Sequence, residues 1–276
     1  MTWDDGPVRG VLPAFVAVAG AFGEAAGAVL FPEERAYVAG AAATRRREFG
    51  EVRHCARRAL GALGIRPLPL VPGADRAPRW PGGVVGSMTH CPGYRAAAVA
   101  SRTRLLSLGI DAEPHAPLPA GVLDLVADPV ERAALARLAR THPQVHWDTL
   151  LFSAKESVFK AWFPLMGSWL DFTDARLRFR PRDAAFDVRI RVPARPASPL
   201  PGQSTITPCF TGSWRIARGI LATSVMALHS GPATEGGRRE RIVRSAGSHV
   251  RILHSCRLIT VAQPFTVRAG GWSQAH

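Results

Sequence analysis

In G-I-D-A-E, residues 109–113, two carboxylates stand two positions apart, Asp111 and Glu113. On a strand this spacing turns both to one face. A strand end so equipped can hold a hard divalent cation, with water and a ligand's phosphate filling the rest of its shell. Chance produces the same pair on many exposed strand ends, so it does not decide by itself. Further on, F-S-A-K-E-S-V-F-K-A (152–161) contains the chain's only two lysines, Lys155 and Lys160, around Glu156. One reading is local: Ser153 and Glu156 have the spacing of a capping box, and Glu156 with Lys160 forms a favourable i, i+4 pair. The other is a site that needs a compact ammonium rather than a planar guanidinium. A third element, G-S-M-T-H-C (86–91), ends a short strand with His90 beside the hydroxyls of Ser87 and Thr89. Such a histidine is either structural or a phosphate contact.

These residues need elements to hold them. The 276 residues carry 47% apolar and 20% charged side chains, enough for one large domain or two moderate ones. Phe49, Val52, Ala56, Leu60 and Leu63 have helical spacing behind Pro32 and its following acids, with arginines 45, 46, 47, 53, 57 and 58 on the helix back, read mostly as solvated. Residues 67–83 are a Pro/Gly-rich loop, and three short β-type runs follow, the last being the D-x-E run. D-P-V-E-R-A-A-L-A-R-L-A-R reads as a helix capped by Asp128, and a second helix runs from about Trp147 to Trp162, stopped by Pro164. Strands alternate from Ala175 on, and a hairpin turns near Arg218-Gly219. Two helix-plus-sheet halves emerge, with expected divisions of 1–27 as an N-terminal segment, 28–118 and 119–230 as the halves, and 231–276 as a basic tail that lacks a sustained period and is open to disorder.

The formal net charge of +14 asks for a polyanionic partner: a phosphorylated cofactor, an acidic protein or nucleic acid. Aromatics at 8% and the lack of a recognised motif argue against nucleic acid. Cysteines 55, 91, 209 and 256 have no C-x-x-C spacing, so neither a zinc ribbon nor a redox pair is expected. The run from Gly10 to Gly23 is too short to span a bilayer, so the expectation is a cytoplasmic protein without membrane attachment.

In order, S-x-T-H, G-I-D-x-E and F-S-x-K-E-S-x-x-K-A resemble the 4'-phosphopantetheinyl transferase superfamily, in its monomeric two-half branch of enterobactin synthase component D-like and surfactin-type enzymes. The resemblance spans roughly residues 28–230, including L-F-P-E-E-R-A. It implies an α/β (α+β) fold of two similar halves, each a small sheet on a long helix, with the ligand between them. It implies magnesium on Asp111, Glu113 and Glu156, with small Ala112 between the first two. Asp111 also faces the coenzyme A site, Lys160 meets the transferring phosphate and Lys155 another phosphate-side group. His90 meets the 3'-phosphate, Arg45 and Arg53 the 3'-phosphate and adenine side, and Arg76 or Arg79 adds a further basic contact. The implied reaction moves the 4'-phosphopantetheine arm of coenzyme A to a serine of an acidic apo carrier protein, releasing adenosine 3',5'-bisphosphate. Glu156 leads as general base, directly or through a water on the metal. The carrier could serve fatty acid, polyketide, nonribosomal peptide or siderophore assembly. A homologue that binds coenzyme A without turnover and a basic nucleic-acid-binding protein are the alternatives.

Overall fold

The structure, a computed structural model, describes residues 2–3, 5–23, 28–191 and 210–228, together with the backbone of four short strands between 242 and 273. Two antiparallel sheets form the frame. The first has the order β1-β2-β4-β3, from Thr2–Trp3 (β1), Ala17–Phe22 (β2), Val84–Cys91 (β3) and Tyr94–Ser101 (β4). The second has the order β5-β9-β8-β7-β6, from Ser107–Pro114 (β5), Ala175–Arg180 (β6), Ala185–Ile190 (β7), Phe210–Ala217 (β8) and Ile220–Ala227 (β9).

Each sheet carries one long helix. Helix α1 (Gly6–Arg9) and helix α2 (Pro32–Tyr37) are short, and α3 (Ala43–Gly61) supplies the stripe expected from its spacing. Its Cys55, Ala56, Ala59 and Leu60 pack on Ala19, Val84, Ala97 and Val99 of the first sheet. The alanines of β4 let the helix approach closely. After α4 (Val122–Val126) and α5 (Pro129–Thr141), α6 (Trp147–Met166) lies on the second sheet, with Leu150, Ala154, Val158 and Trp162 in one core with Leu221 and Val225 of β9. Asp128 caps α5 as expected, accepting the Glu131 N–H at 2.9 Å. The β8–β9 hairpin turns at Arg218 and Gly219, whose φ of 55° and 74° are the left-handed values of a two-residue turn.

Three boundaries differ from the sequence reading. β2 pairs with β4 along its whole length, so the first 27 residues contribute a strand to the first sheet rather than a separate segment. β5, expected with the first half, hydrogen-bonds to β9 and belongs to the second sheet. Helix α6 runs through Pro164 to Met166 and stops at Gly167, φ 61°. Proline within the last turn forfeits only one i−4 bond, whereas the left-handed glycine ends the helix. Ser153 is therefore mid-helix and not a cap. The 231–276 tail lies mostly outside the described residues. Within it Ile242–Ser245 pairs with Ser248–Arg251, and Thr266–Arg268 with Gly271–Ser273.

The two sheets meet edge to edge. Where a ladder would otherwise run between β3 and β5, the Ser87 Oγ accepts the Ile110 N–H and the Thr89 Oγ1 accepts the Ala112 N–H, each at 3.0 Å. Side-chain hydroxyls thus satisfy edge donors that would otherwise be buried unpaired. The hydroxyls flanking His90 hold this seam.

β5 also passes very close to α6. A Cβ on Gly109 would sit 2.0 Å from the Ser157 carbonyl oxygen and 2.8 Å from the Ala161 nitrogen. Both are backbone atoms and cannot swing aside. Gly109→Ala should therefore force strand and helix apart, costing ~1–3 kcal/mol as overpacking does. Thermal denaturation should show a lowered Tm, and turnover should fall because the two elements carry the two halves of the site. An unchanged Tm would mean that the crossing has slack.

Candidate active site

Asp111 and Glu113 leave β5 on the face that meets α6, as the i, i+2 spacing requires. From α6, Glu156 and Lys160 come one turn apart to the same place. The Lys160 ammonium donates to Asp111 Oδ1 at 2.6 Å, and the Thr89 hydroxyl donates to the same oxygen at 3.2 Å. The second carboxylate oxygen, Asp111 Oδ2, is buried and has no hydrogen-bond partner among the described residues. A buried anionic oxygen without a donor is costly, so this atom marks a place where a positive group belongs.

The electrostatics agree. Burial pushes the Glu113 carboxyl well above the usual carboxylate range, and Asp111 and Glu156 push it the same way against Lys160. Burial likewise raises Glu156, with Lys160 opposing and Asp111 adding. Burial works against the Lys160 ammonium, but Asp111, Glu156 and Glu113 outweigh it and hold its pKa above the ordinary lysine value. Three carboxylates thus share one ammonium. Among the described residues no three acidic, histidine or cysteine side chains stand close enough to make a ready metal cage.

The rest of the F-S-x-K-E-S-x-x-K run divides by helix face. Ser153 and Ser157 hold α6 to β9: the Ser157 Oγ is 2.7 Å from Thr223 Oγ1, and the Thr223 hydroxyl donates to the Ser153 carbonyl at 2.9 Å. Lys155 points elsewhere. Its ammonium donates to the Val126 carbonyl, Glu131 Oε2 and the Phe172 carbonyl, each at 2.7 Å, and its side chain is 1% exposed. Burial lowers its pKa, opposed first by Glu131. All three N–H donors are committed inside the protein, so Lys155 is not brought to the carboxylate cluster. The expected phosphate-side contact would require the ammonium to leave these three partners. Glu131 went unnoticed as its partner, although its place as third residue after the Asp128 cap already marked it as a fixed carboxylate.

The basic residues expected around the 3'-phosphate separate as well. His90, at the end of β3, places Nε2 3.2 Å from Glu48 Oε2, and Arg45 Nη1 lies 3.7 Å from that same oxygen. Partial burial lowers the His90 pKa, Glu48 opposes this, and Arg45 adds to it. Arg53 is buried instead. Its guanidinium carbon lies 3.1 Å from the Phe49 ring centroid and its Nε donates to the Leu70 carbonyl at 2.8 Å. It braces α3 against the following loop, and the solvated reading of the arginine back fails for it. Arg57 is likewise paired, at 2.8 Å from the buried Glu34 of L-F-P-E-E-R-A. Of the loop arginines, Arg76 is exposed with φ 63° and Arg79 lies against Gly73.

The comparisons with known proteins decide the family. A family model described as the 4'-phosphopantetheinyl transferase N-terminal domain matches residues 33–100, and one described as the 4'-phosphopantetheinyl transferase superfamily matches residues 107–195. The 4'-phosphopantetheinyl transferase Svp of Streptomyces mobaraensis is 50% identical over 232 residues, covering 83% of this chain and 92% of that protein. The chain belongs to the 4'-phosphopantetheinyl transferase superfamily. PptT of Mycobacterium tuberculosis, also named a 4'-phosphopantetheinyl transferase, is 44% identical over 228 residues, 79% of this chain and 97% of its own length. Enterobactin synthase component D of Salmonella typhi is 38% identical over 105 residues, 37% of this chain and 42% of that protein. The transferase's chemistry is thus the movement of a 4'-phosphopantetheine group. The seam between its two family-model segments falls at residues 101–106, where the first sheet passes to the second. Among the described residues no helix is long and apolar enough to cross a membrane. Cys55 and Cys91 are buried free thiols, Cys55 pushed up to about 12 by burial, and Cys209 and Cys256 lie outside the described residues.

Proposed function

We propose that this transferase takes the arm from coenzyme A and places it on a serine hydroxyl of an apo carrier protein. The observation that supports this most is the convergence of Asp111 and Glu113 with Glu156 and Lys160, with Asp111 Oδ2 buried and unpartnered. The donor set is all hard oxygen, which suits magnesium. That ion is usually held by one or two carboxylates with phosphate and water completing its shell, so a full protein cage is not required. Asp111, Glu113 and Glu156 would hold it, and when bound it would supply positive charge to offset the negative charge that develops on the transferring phosphate.

The chain's own groups then divide the work. Lys160, held protonated by its carboxylate neighbours, sets a compact charge against the pyrophosphate. Glu156, one turn before Lys160 on the same face of α6, takes the proton of the attacking serine hydroxyl. The serine oxygen bonds to the β-phosphorus, the bond to the bridging oxygen breaks, and adenosine 3',5'-bisphosphate leaves. His90 and Arg45 lie at the end of the first sheet and suit the 3'-phosphate. The net charge of +14 suits an acidic carrier meeting a cytoplasmic, monomeric transferase. Incubation with magnesium, coenzyme A and a panel of apo carriers, siderophore and polyketide types included, should add the mass of the arm to at least one. No modification of any carrier, with coenzyme A still bound, would favour a binding-only homologue.

Lys160→Arg probes the charge. A guanidinium is larger and needs matched planar acceptors. Beside Asp111 it should displace the reacting phosphate, and a ~1 Å misplacement can cost on the order of a hundredfold. Turnover at least an order of magnitude lower is expected with a near-normal Tm, since arginine and lysine have similar helix propensity. Full activity would mean that charge alone suffices at this position.

A further inference from the structure

We infer that Glu48 is an internal anion that occupies the donors meant for the ligand's 3'-phosphate and so sets how strongly that phosphate is recognised. The inference rests on the reading of Arg45 and His90 as the phosphate's partners. A single oxygen, Glu48 Oε2, lies 3.2 Å from His90 Nε2 and 3.7 Å from Arg45 Nη1. Arg45 belongs to the first turn of α3 and His90 to the end of β3, so a guanidinium and an imidazole from different elements converge on one carboxylate oxygen. That is the arrangement a phosphate oxygen would take. The three side chains are 58%, 37% and 33% exposed for Arg45, His90 and Glu48, so an incoming ligand can reach all of them.

Exposed ion pairs of this kind are weak. A phosphate with two charges and three acceptor oxygens should therefore displace Glu48, or share the two donors with it at a cost in repulsion. In either case the carboxylate subtracts from phosphate affinity. Without ligand it offsets the charge of Arg45 and accepts from the His90 imidazole, which keeps the cluster from attracting any passing anion. Glu48 thus acts as a threshold on anion binding.

The test is calorimetric titration of the full chain and its Glu48→Gln variant with coenzyme A and with dephospho-coenzyme A, which lacks the 3'-phosphate. Glutamine keeps the length and one acceptor but removes the charge. Because Glu48 is on the surface, the variant should fold, as its Tm will verify. Coenzyme A should bind the variant about fivefold more tightly, in line with the loss of one exposed ion pair, and dephospho-coenzyme A equally to both. The gain should shrink as salt is raised. Unchanged or weaker coenzyme A binding by the variant would overturn the inference and make Glu48 a support for His90. An equal gain for both ligands would overturn it too, as a general charge effect. If the wild-type protein binds the two ligands equally, the phosphate reading itself fails and the inference falls with it.

Discussion

Asparagine in place of Asp111 is expected to leave a folded protein whose transfer rate is lower by on the order of a hundred- to a thousandfold, the range seen when one focused electrostatic contact is removed. The argument starts from the two oxygens. Oδ1 accepts from Lys160 at 2.6 Å and from Thr89 at 3.2 Å, and the asparagine carbonyl can keep both. The amide nitrogen then falls where Oδ2 was, buried and without a partner among the described residues. A cation drawn to that place would now meet N–H donors. The fold should tolerate the change. An unsatisfied amide costs ~1–3 kcal/mol, but the lost charge relieves the repulsion that Asp111 exerts on Glu113 and Glu156. The two carboxyls should in consequence titrate at lower pH, closer to the ordinary range. Three measurements are called for: turnover, Tm, and carboxyl titration by NMR. Wild-type turnover would remove Asp111 from the reacting centre, and unshifted carboxyl titrations would mean that the three acids are not neighbours.

The parts of this centre that were legible in the sequence are those set by local period. The i, i+2 carboxylates had to share a face of a strand, and Glu156 and Lys160, i and i+4, had to share a face of a helix. The strands and helices that carry them, the Asp128 cap and the Arg218-Gly219 turn are also local, and each has a composition that announces it. What packs on each remaining face is not local. The 3.6-residue period shows that Lys155 lies about 100° from Glu156, but not that Glu131, 24 residues earlier, waits there. Ser153 has the spacing of a cap, yet it and Ser157 meet Thr223, about seventy residues later.

The same limit applies to charge. Counting arginines on the back of α3 suggests a solvated surface, and for Arg45 and Arg46 it is one. Arg53 differs because Phe49, one turn before it, turns its ring under the guanidinium, and the loop carbonyl of Leu70 closes over it. The helical period already sets Arg53 beside Phe49 and Ala56 on the buried stripe, but not the Leu70 carbonyl that receives it. Gly109 belongs to the G-I-D-x-E motif, and its reason lies in the third dimension, where α6 presses its backbone against β5. The motif glycine is a distance requirement, and Asp111, two residues on, reaches Lys160 because that requirement is met.

The largest loss of stability should come from Lys155→Met. The methionine side chain can fill much of the aliphatic path of lysine, so the cavity term is small. The polar terms are not. The ammonium joins three parts of the chain: the Val126 carbonyl at the end of α4, the Glu131 carboxylate on α5 and the Phe172 carbonyl after α6, each at 2.7 Å. With the ammonium gone, two carbonyls lose a donor and Glu131 loses its only side-chain cation among the described contacts. Glu131 still accepts the Leu177 N–H at 2.9 Å and the Asp128 N–H at 3.1 Å, which softens the loss without offsetting a buried negative charge. Breaking a buried pair by removing one partner costs ~3–5 kcal/mol. For a chain of this size each kcal/mol lowers Tm by about 2–4 °C, so a fall on the order of 10 °C is expected. Lys155→Arg should not restore it, because a planar fork cannot aim one hydrogen at each of three acceptors set around a point. The same experiment separates structure from ligand contact. At a temperature where all variants are folded, coenzyme A affinity should change far less than Tm does. If Tm is kept and coenzyme A binding is lost, Lys155 leaves its buried partners to meet the ligand, and the phosphate-side contact implied by the family resemblance must be reinstated.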